Sequence, residues 1–444
     1  MAVAAKPAAG GPPPGPRGYP LVGVLPQIRR DPLDYFRAAV RDYGDVVRLP
    51  LLGESITVVN HPTEIREILQ LHHQHYLRSR FHDRLKPVLG DGLVTSEGPL
   101  WEDQRALMQP YFHRRRLREL VPLMAETISA RAAALLPPGE RSAVVEVEKA
   151  MLELTLDVFC TMIFEHRLSP QQVQRIGDLL GGILRAHSPR LWLQRRLVGM
   201  LTRGRDHVQT LVDELDEIVA ELISARRAQN SEEDNLLNVL IAQLDRGVDY
   251  QLLRDQIVTL LFAGHETTTA ALSWTLYLLA SHPDVQEQVR AEATACPDLT
   301  ALDNLTYTGQ VINEAMRLYP PVWRMTRRAD GDRELGGCAI AANSTIVLCQ
   351  YTTHRDARWW PSPDRFDPDR FAKDTKVDNF AYYPFSRGPR TCLGLHLAMM
   401  EMQMVVAHLA QTYALEMADV PVRPKAFFSL RTEDGIWLRL TRRR

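Results

Sequence analysis

The chain has 444 residues, 45% of them hydrophobic, and a formal net charge of −1 at pH 7. That length can bury a large core, and so balanced a charge shows no bias toward nucleic acid or acidic substrates; we expect a soluble globular protein that binds no nucleic acid. The five cysteines are scattered, odd in number and without a Cys-x-x-Cys pair, which argues against a disulfide framework or a zinc ribbon and favours the cytoplasm.

The first 18 residues, "MAVAAKPAAGGPPPGPRG", are rich in Ala, Gly and Pro and lack the apolar segment of a signal peptide. This composition predicts a flexible leader over residues 1–18. We find neither an internal repeat nor a clear linker after it, so a single catalytic domain is expected over residues 19–444, acting as a monomer without an integral membrane anchor.

Strand and helix patterns are unevenly distributed along the rest of the chain. "DVVRLPLLGESITVVN" predicts two strands with a turn at Gly53, and "IAANSTIVLCQY" and a pair of segments around "TEDG" predict further short strands. Helical periodicity covers almost everything from about Glu64 to Leu318. The fold class is therefore mainly α, with a smaller β region contributed from both ends.

The most apolar helical segment is "IVTLLFAGHETTTAALSWTLYLLA", Ile257 to Ala280. Its length would permit a membrane span. However, "GHETTT" places a histidine, a carboxylate and three hydroxyl groups at its midpoint, which is costly in hydrocarbon. We interpret it as a helix that crosses the core of a large protein.

A single cysteine stands in "FSRGPRTCLG", directly before the apolar stretch "LHLAMMEMQMVVAHLA", which predicts a buried helix. At a helix entrance, free backbone N–H groups and the helix dipole favour the thiolate of Cys392, and Gly388 and Gly394 allow backbone or a flat ligand to approach. Three alternatives stay open: a buried thiol packed as a small hydrophobe, a zinc ligand together with His396, and a nucleophile with a distant histidine base.

The same ten residues resemble the haem-binding signature of the cytochrome P-450 superfamily, Phe-x-x-Gly-x-Arg-x-Cys-x-Gly. The resemblance implies that Cys392 is the axial thiolate ligand of a haem iron. It also implies that Phe385 and Gly388 shape the loop, that Gly394 lies at the cofactor, and that Arg390 pairs with a haem propionate, a role suited to a guanidinium.

A second motif of that superfamily, Ala/Gly-Gly-x-Asp/Glu-Thr, is matched by "AGHET" from Ala263 to Thr267. The resemblance implies that Ala263 leaves room for dioxygen at the cofactor, and that Glu266 and Thr267 are catalytic residues that relay protons. The alternative is structural: Thr267 bonds to the carbonyl one turn earlier, and Glu266 is a partly solvated helix residue. We interpret His265 as structural.

Glu314 and Arg317 in "NEAMRLYPP" match the family's Glu-x-x-Arg, and "HRDARWWPSPDRFDPDRF" resembles the family's run ending in Pro-x-Arg-Phe. The resemblance implies that Arg370 joins Glu314 and Arg317 in a structural clamp for the cysteine region. The spacing alone is weak, because it recurs at 102–105 and 287–290, where it predicts a surface ion pair of small value.

Further arginines match positions at which the family binds haem propionates. Trp101 and Arg105 lie four apart on a helix that Pro110 should end and match Trp-x-x-x-Arg. The alternative is a core tryptophan beside a surface arginine. Arg327 lies where the family often has another propionate arginine, although the adjacent Arg328 could take that part.

The resemblance runs from about Pro14 to the end of the chain. It implies a triangular, mainly helical prism with haem b between the long central helix and the cysteine-bearing helix. The implied function is haem-thiolate monooxygenation: two externally supplied electrons, ultimately from NAD(P)H, activate dioxygen and an apolar small molecule is hydroxylated or epoxidised. The alternatives are a haem-binding gas sensor or electron carrier, or a peroxide-driven relative.

Substrate residues are expected in the family's variable loops. They include Val322, Trp323 and Leu430, and the loops also contain Trp192 and Phe428. The mainly aliphatic and aromatic character of these loops favours an apolar substrate such as a terpenoid, polyketide or fatty acyl compound in secondary metabolism. Any one of these residues could instead be part of the core.

Electrons should come from another protein, because the sequence has no flavin-binding or iron–sulfur cysteine spacing. We expect an acidic ferredoxin or flavodoxin-like donor with its reductase. Three successive arginines, Arg114, Arg115 and Arg116, are a candidate docking patch, with Arg387 possibly contributing. The alternative is a solvated basic stretch that binds nothing.

Overall fold

The computed structural model describes residues 10–165, 167–186, 204–229, 234–296 and 298–444. The chain forms two compact units. We call Met1–Arg84 with Met316–Cys392 the sheet unit, and Leu85–Ala315 with Leu393–Arg444 the helical unit.

The α-helices within these residues follow in chain order: α1 (Leu25–Arg30), α2 (Pro32–Tyr43), α3 (Pro62–Arg66), α4 (Arg80–Asp83), α5 (Lys86–Leu89), α6 (Gly98–Met108), α7 (Arg114–Glu119), α8 (Val121–Ala133), α9 (Val147–Ile163), α10 (Pro170–Ala186), α11 (Gly204–Ala228), α12 (Leu236–Asp245), α13 (Tyr250–Ser281), α14 (Pro283–Ala295), α15 (Thr306–Leu318), α16 (Gln350–Thr353) and α17 (Leu395–Thr412). The strands are β1 (Val46–Leu51), β2 (Glu54–Val59), β3 (Tyr76–Leu77), β4 (Ser142–Glu146), β5 (Met325–Ala329), β6 (Arg333–Leu335), β7 (Cys338–Ile340), β8 (Thr345–Leu348), β9 (Tyr413–Met417), β10 (Pro424–Ala426), β11 (Leu430–Thr432) and β12 (Trp437–Arg442).

A five-stranded sheet in the order β1-β2-β8-β5-β3 organises the sheet unit. β1 and β2 form the predicted hairpin, with Val46 opposite Val59 and a turn at Leu52 and Gly53, whose φ is +81°. β8 confirms the predicted strand in "IAANSTIVLCQY" and pairs in parallel with β2, whereas β5 runs antiparallel to β8. Apolar side chains of the strands pack in a buried cluster with the helical segment that follows β2.

Hydrogen bonds attach part of the predicted leader to the sheet unit. The Arg48 N–H donates to the Pro14 carbonyl at 2.8 Å, and the Ala339 N–H donates to the Gly11 carbonyl at 2.8 Å. A Cβ atom on Gly15 would lie 1.9 Å from the Arg48 carbonyl oxygen, so only glycine permits this approach. Residues 1–9 of the predicted leader lie outside the described residues.

Arg317 is fully buried in the sheet unit and holds a long irregular segment in place. Its Nη1 donates to the carbonyl oxygens of His354 and Pro363 at 2.9 and 2.7 Å, and its Nη2 donates to the Arg365 carbonyl at 3.1 Å. The guanidinium also lies 5.2 Å from the ring centroid of Trp360. Three backbone acceptors without another regular partner are thus satisfied by one side chain.

The other members of the predicted clamp, Glu314 and Arg370, do not form an exposed ion pair of the kind that the Glu-x-x-Arg spacing alone would suggest. Glu314 is fully buried, and Arg370 Nη2 donates to the Ser362 carbonyl at 3.0 Å, in the segment that Arg317 also binds. By contrast, Arg290 and Glu287 of the same spacing form an exposed pair on α14. The joint role of Glu314, Arg317 and Arg370 as one clamp stays a prediction.

The longest helix, α13, belongs to the helical unit and packs against α9, α11 and α17. Most of its side chains are buried, as predicted for a helix that crosses the core. It begins at Tyr250, seven residues before the predicted start, because Asp249 caps it and because Arg254 and Asp255 are buried as an ion pair. Within the described residues, no helix is long and apolar enough to cross a membrane.

Short sheets complete the helical unit. β12 pairs with β4 on one side and β9 on the other, and β10 pairs with β11. The two strands predicted around "TEDG" are therefore present as β11 and β12, although they pair with different partners. β4 interrupts the region predicted as helical, since its residues "SAVVE" gain strand pairing only from the distant β12.

We predict that Arg317→Leu lowers the free energy of unfolding by about 3 kcal/mol or more, because it leaves three carbonyl groups without their donor, that of His354 in a buried position and those of Pro363 and Arg365 in partly buried ones. Arg290→Leu, which removes an arginine of the same sequence spacing from an exposed pair, should change the stability far less, because water screens such a pair. Urea denaturation followed by circular dichroism measures both. Equal losses in the two variants would show that Arg317 has no special structural role.

Candidate active site

The cysteine loop of the sheet unit closes on itself before α17 begins. The Cys392 N–H donates to the Phe385 carbonyl at 2.9 Å, and the Thr391 hydroxyl donates to the Gly388 carbonyl at 2.7 Å. Ser386 has a φ of +62°, unusual for a residue with a side chain. These bonds fix the backbone that leads up to the thiol.

Gly388 cannot be replaced by a larger residue without moving the loop. Its φ is +73°, and a Cβ atom there would lie 1.9 Å from the Leu69 carbonyl oxygen. The loop therefore rests directly on the backbone of the short π-helical turn Glu67–Leu71. This close approach explains the glycine at the fourth position of the motif.

Cys392 differs from the other four cysteines in exposure. Its side chain is exposed, whereas Cys160, Cys296, Cys338 and Cys349 are buried. Burial raises the pKa of the Cys349 thiol, which keeps it protonated. Gly394, two residues after Cys392, also borders open space: a Cβ atom built on it would have no neighbour within 4 Å.

Three arginines of the sheet unit converge on the buried His82. Burial, followed by the positive charges of Arg78, Arg327 and Arg390, lowers the pKa of His82 well below its usual value. Arg78 Nη1 lies 3.3 Å from His82 Nε2, which accepts when the imidazole is neutral. The cluster concentrates positive charge where predicted propionate residues Arg327 and Arg390 lie.

Strand alternation decides between Arg327 and Arg328. Arg327 is 5% exposed and belongs to the His82 cluster, whereas Arg328 Nη1 donates to Asn343 Oδ1 at 2.8 Å. Successive side chains of β5 point to opposite faces, so the two arginines cannot share one role. The Ser79 hydroxyl, 2.6 Å from that of Thr326, links the segment of Arg78 to β5.

Sequence reasoning missed Arg78 and His82. Both lie in "YLRSRFHDR", where no motif singles them out. Their spacing of four residues at the start of a helical turn is a weak signal. Arg327 follows them by 245 to 249 residues along the chain and Arg390 by 308 to 312, so no local pattern could reveal that these side chains meet.

In the helical unit, one face of α13 is open while its surroundings are buried. Ala263 is exposed and Gly264 and Thr267 are half-buried, although Phe262, Glu266 and most of the helix are buried. The Thr267 hydroxyl donates to the Ala263 carbonyl at 3.0 Å, the bond of the structural alternative. A Cβ on Gly264 would meet the Phe159 ring at 2.3 Å, so α9 packs closely here.

Glu266 is 2% exposed and held by two residues of the C-terminal region. Its Oε1 accepts from the Ser429 hydroxyl at 2.7 Å, and its Oε2 accepts from Arg431 Nη2 at 2.5 Å. The carboxylate is therefore not the partly solvated group of the structural alternative. Arg431 also opposes the rise that burial causes in the pKa of Glu146 and Glu148.

His265, by contrast, has a local partner. Its Nδ1 lies 2.5 Å from the Leu261 carbonyl oxygen, one turn earlier in α13. Burial lowers the pKa of His265, which favours the neutral imidazole. These contacts agree with the structural interpretation of this histidine.

Trp101 and Arg105 are both half-buried on α6. Arg105 Nε donates to Gln109 Oε1 at 3.2 Å, and α6 ends at Met108 as Pro110 predicts. The pairing of Trp101 and Arg105 with a propionate stays a prediction.

The predicted pocket residues have different environments. Val322 is half-buried, and Trp323 is 5% exposed with its ring edge-to-face on Phe36. Leu430 is fully buried, and its carbonyl accepts from Trp274 Nε1 at 2.7 Å. Phe428 packs against Phe262 with ring centroids 4.9 Å apart. Trp192 lies outside the described residues.

The residues present fit a haem. The sheet unit offers a thiol that protein atoms leave accessible and a cluster of guanidinium groups suited to carboxylates. The helical unit offers a helix face of small residues left open in otherwise packed surroundings. Among the described residues, no group of three or more His, Cys, Asp or Glu side chains could hold a metal ion, so the zinc alternative has no support.

Comparison with known proteins identifies the class. The family model "Cytochrome P450" matches residues 13–438. The chain is 31% identical to a putative cytochrome P450 132 of Mycobacterium bovis, over 88% of this chain and 89% of that protein. It is 29% identical to cyclooctatin synthase of Streptomyces melanosporofaciens (94% and 92%) and 27% identical to pentalenene oxygenase of Streptomyces avermitilis (96% and 97%).

The chain belongs to the cytochrome P450 family. It is a cytochrome P450 monooxygenase, and the family implies the use of haem and dioxygen. The mainly α fold with smaller sheets agrees with this assignment.

Proposed function

We propose that this enzyme is a haem-thiolate monooxygenase that hydroxylates or epoxidises an apolar small molecule in secondary metabolism. The observation that carries the proposal is the exposed thiol of Cys392 in a closed loop of matching sequence. The names of the Streptomyces relatives, cyclooctatin synthase and pentalenene oxygenase, support a terpenoid within the wider range of terpenoid, polyketide or fatty acyl substrates. Two electrons, ultimately from NAD(P)H, come from a separate donor.

Cys392 is proposed to bind the haem iron, with Phe385, Gly388 and Gly394 shaping the space around the ligand. Arg327 and Arg390 from the sheet unit, and Trp101 and Arg105 from the helical unit, are proposed to bind the propionates. When bound, the haem supplies the redox chemistry of oxygen activation, and the protein supplies orientation and electrostatics. The His82 cluster supports this assignment, because guanidinium groups that converge on one point suit carboxylate ligands.

Thr267 and Glu266 are proposed to deliver protons. The Thr267 hydroxyl lies on the open face of α13, where Ala263 leaves room for dioxygen. Glu266 starts from an ion pair with Arg431, so it must leave that arginine or pass a proton through water to reach Thr267. Arg431 and Ser429 therefore position the carboxylate and set the energetic cost of its movement.

The first prediction from this proposal concerns the iron ligand. Cys392→Ala should abolish the strongly red-shifted Soret band of the reduced, carbon monoxide-bound protein, because the thiolate ligand is lost. Cys338→Ala, which removes a buried thiol of the same unit, should keep that band. A normal spectrum in the Cys392 variant would refute the assignment.

The second prediction concerns proton delivery. Thr267→Ala should still bind haem and substrate but release at least about tenfold more hydrogen peroxide per NAD(P)H consumed, since proton transfer is impaired. Thr268→Ala is the matched control, because the Thr268 hydroxyl bonds to the Gly264 carbonyl at 3.1 Å but is buried. Unchanged product per electron in the Thr267 variant would contradict the relay.

The proposed donor surface is partly neutralised by acidic neighbours. Arg114 and Arg118 both pair with Asp303, and Arg116 pairs with Glu119. Arg115 is exposed and has no partner among the described residues. Arg387 donates instead to the carbonyl oxygens of Asn379 and Tyr382. Within the three-arginine patch, Arg115 is thus the charge most available to an acidic partner.

The third prediction tests this patch. Changing Arg114, Arg115 and Arg116 together to Glu should slow reduction by an acidic ferredoxin about tenfold or more at low salt, with a smaller effect at high salt. Arg115→Glu alone should produce much of the loss, whereas Arg227→Glu, an equal charge change on α11, should not. Reduction rates that do not respond to salt or to these variants would remove the patch from the docking surface.

A further inference from the structure

Arg324 lies in the segment between α15 and β5, next to the predicted pocket residues Val322 and Trp323. Its guanidinium carbon is 5.1 Å from the ring centroid of Phe81 and 4.8 Å from that of Trp323. The Trp323 ring is itself fixed edge-to-face on Phe36. Two aromatic rings thus hold the cation in a defined place.

No carboxylate or hydrogen-bond acceptor contacts the Arg324 guanidinium among the described residues. Desolvation by the surrounding protein lowers the pKa of Arg324 to about 10, with the Cys349 thiol opposing this change and the nearby Arg84 cation adding to it. The side chain nevertheless stays half-buried. At neutral pH the group keeps its charge.

Two other arginines of the sheet unit have acceptors within the protein and serve the structure. Arg355 lies 3.9 Å from the ring centroid of Tyr351 and also pairs with Asp364 at 3.4 Å. Arg317 donates three hydrogen bonds to backbone carbonyls. Arg324 has no such acceptor among the described residues while its side chain keeps accessible surface, so its N–H groups can meet an acceptor from outside the chain.

The chemistry of the site selects the acceptor. A guanidinium stacked on aromatic rings keeps its in-plane N–H groups, which match the two oxygen atoms of a carboxylate. The walls of Phe81 and Trp323 suit an apolar body beside that carboxylate. A second cation, Arg84, further favours an anion at this point.

We propose that Arg324 binds the carboxylate of the substrate, so that the enzyme acts on an apolar carboxylic acid rather than on a hydrocarbon or a neutral alcohol. The inference rests on the proposed monooxygenase function and narrows its substrate class. It also implies that the carboxyl group is introduced before this oxidation, by an enzyme that generates acids.

Binding to the haem-loaded protein tests the proposal. The probes are dodecanoate, a flexible chain, and adamantane-1-carboxylate, a rigid cage, so that two different apolar shapes are tried. Each acid is compared with its methyl ester, which lacks the charge. Isothermal calorimetry and the substrate-induced Soret shift both report the affinity. We expect at least one acid to bind the wild type about 10- to 100-fold more tightly than its ester, as charged hydrogen bonds in a desolvated site predict.

Variants then assign the effect to Arg324. Arg324→Leu should remove the preference for the acid and leave ester binding within about twofold, while Arg324→Lys should keep part of it because the charge remains. Arg80→Leu is the matched control, since Arg80 is exposed beside Phe81 and pairs with Glu54. The melting temperature of each variant checks that folding is intact.

The carbon monoxide spectrum separates the two proposals. If it shows no thiolate ligation in the wild type, the proposed function fails. If it is normal but acids bind no better than esters, or no acid binds, the role of Arg324 is wrong and the monooxygenase proposal stands. An acid preference that persists in Arg324→Leu would likewise overturn the assignment to Arg324.

Discussion

One constraint governs the sheet unit: a thiol has to stay accessible while the loop that carries it stays rigid. Covering Cys392 with side chains would fix it but would exclude a ligand. The structure instead fixes the backbone, through the hydrogen bond from Cys392 N–H to the Phe385 carbonyl and through the contact of Gly388 with the Leu69 carbonyl. Rigidity therefore comes from main-chain contacts, which leave the side chain open.

Arginine side chains fill three physically different roles around this arrangement. Arg317 replaces missing backbone donors and is fully satisfied within the protein. Arg431 restrains the carboxylate of Glu266 in the helical unit. The cluster around His82 and the lone guanidinium of Arg324 carry charge suited to anionic groups from outside the chain. Sequence motifs do not distinguish these roles, because the role depends on which acceptors the fold brings near each guanidinium.

Local patterns predicted the elements whose causes are local. The β1–β2 hairpin follows from a turn at Gly53 between two apolar runs, and α13 follows from a long apolar segment. β4 escaped prediction because its pairing partner, β12, is almost 300 residues away. The start of α13 was placed too late because Arg254 and Asp255 look solvent-exposed in sequence but neutralise each other in the interior.

The amino-acid sequence by itself determined the family, the cysteine loop and the open Ala263–Thr267 face, because each is a short pattern whose spacing serves chemistry on one element. Tertiary structure alone decided that Glu266 forms an ion pair with Arg431, that Arg327 rather than Arg328 joins Arg78 and Arg390, and that Arg324 has no acidic partner among the described residues. The physical reason is that electrostatic environment depends on distance in space. Charges more than 150 residues apart along the chain lie within hydrogen-bond reach once the chain has folded.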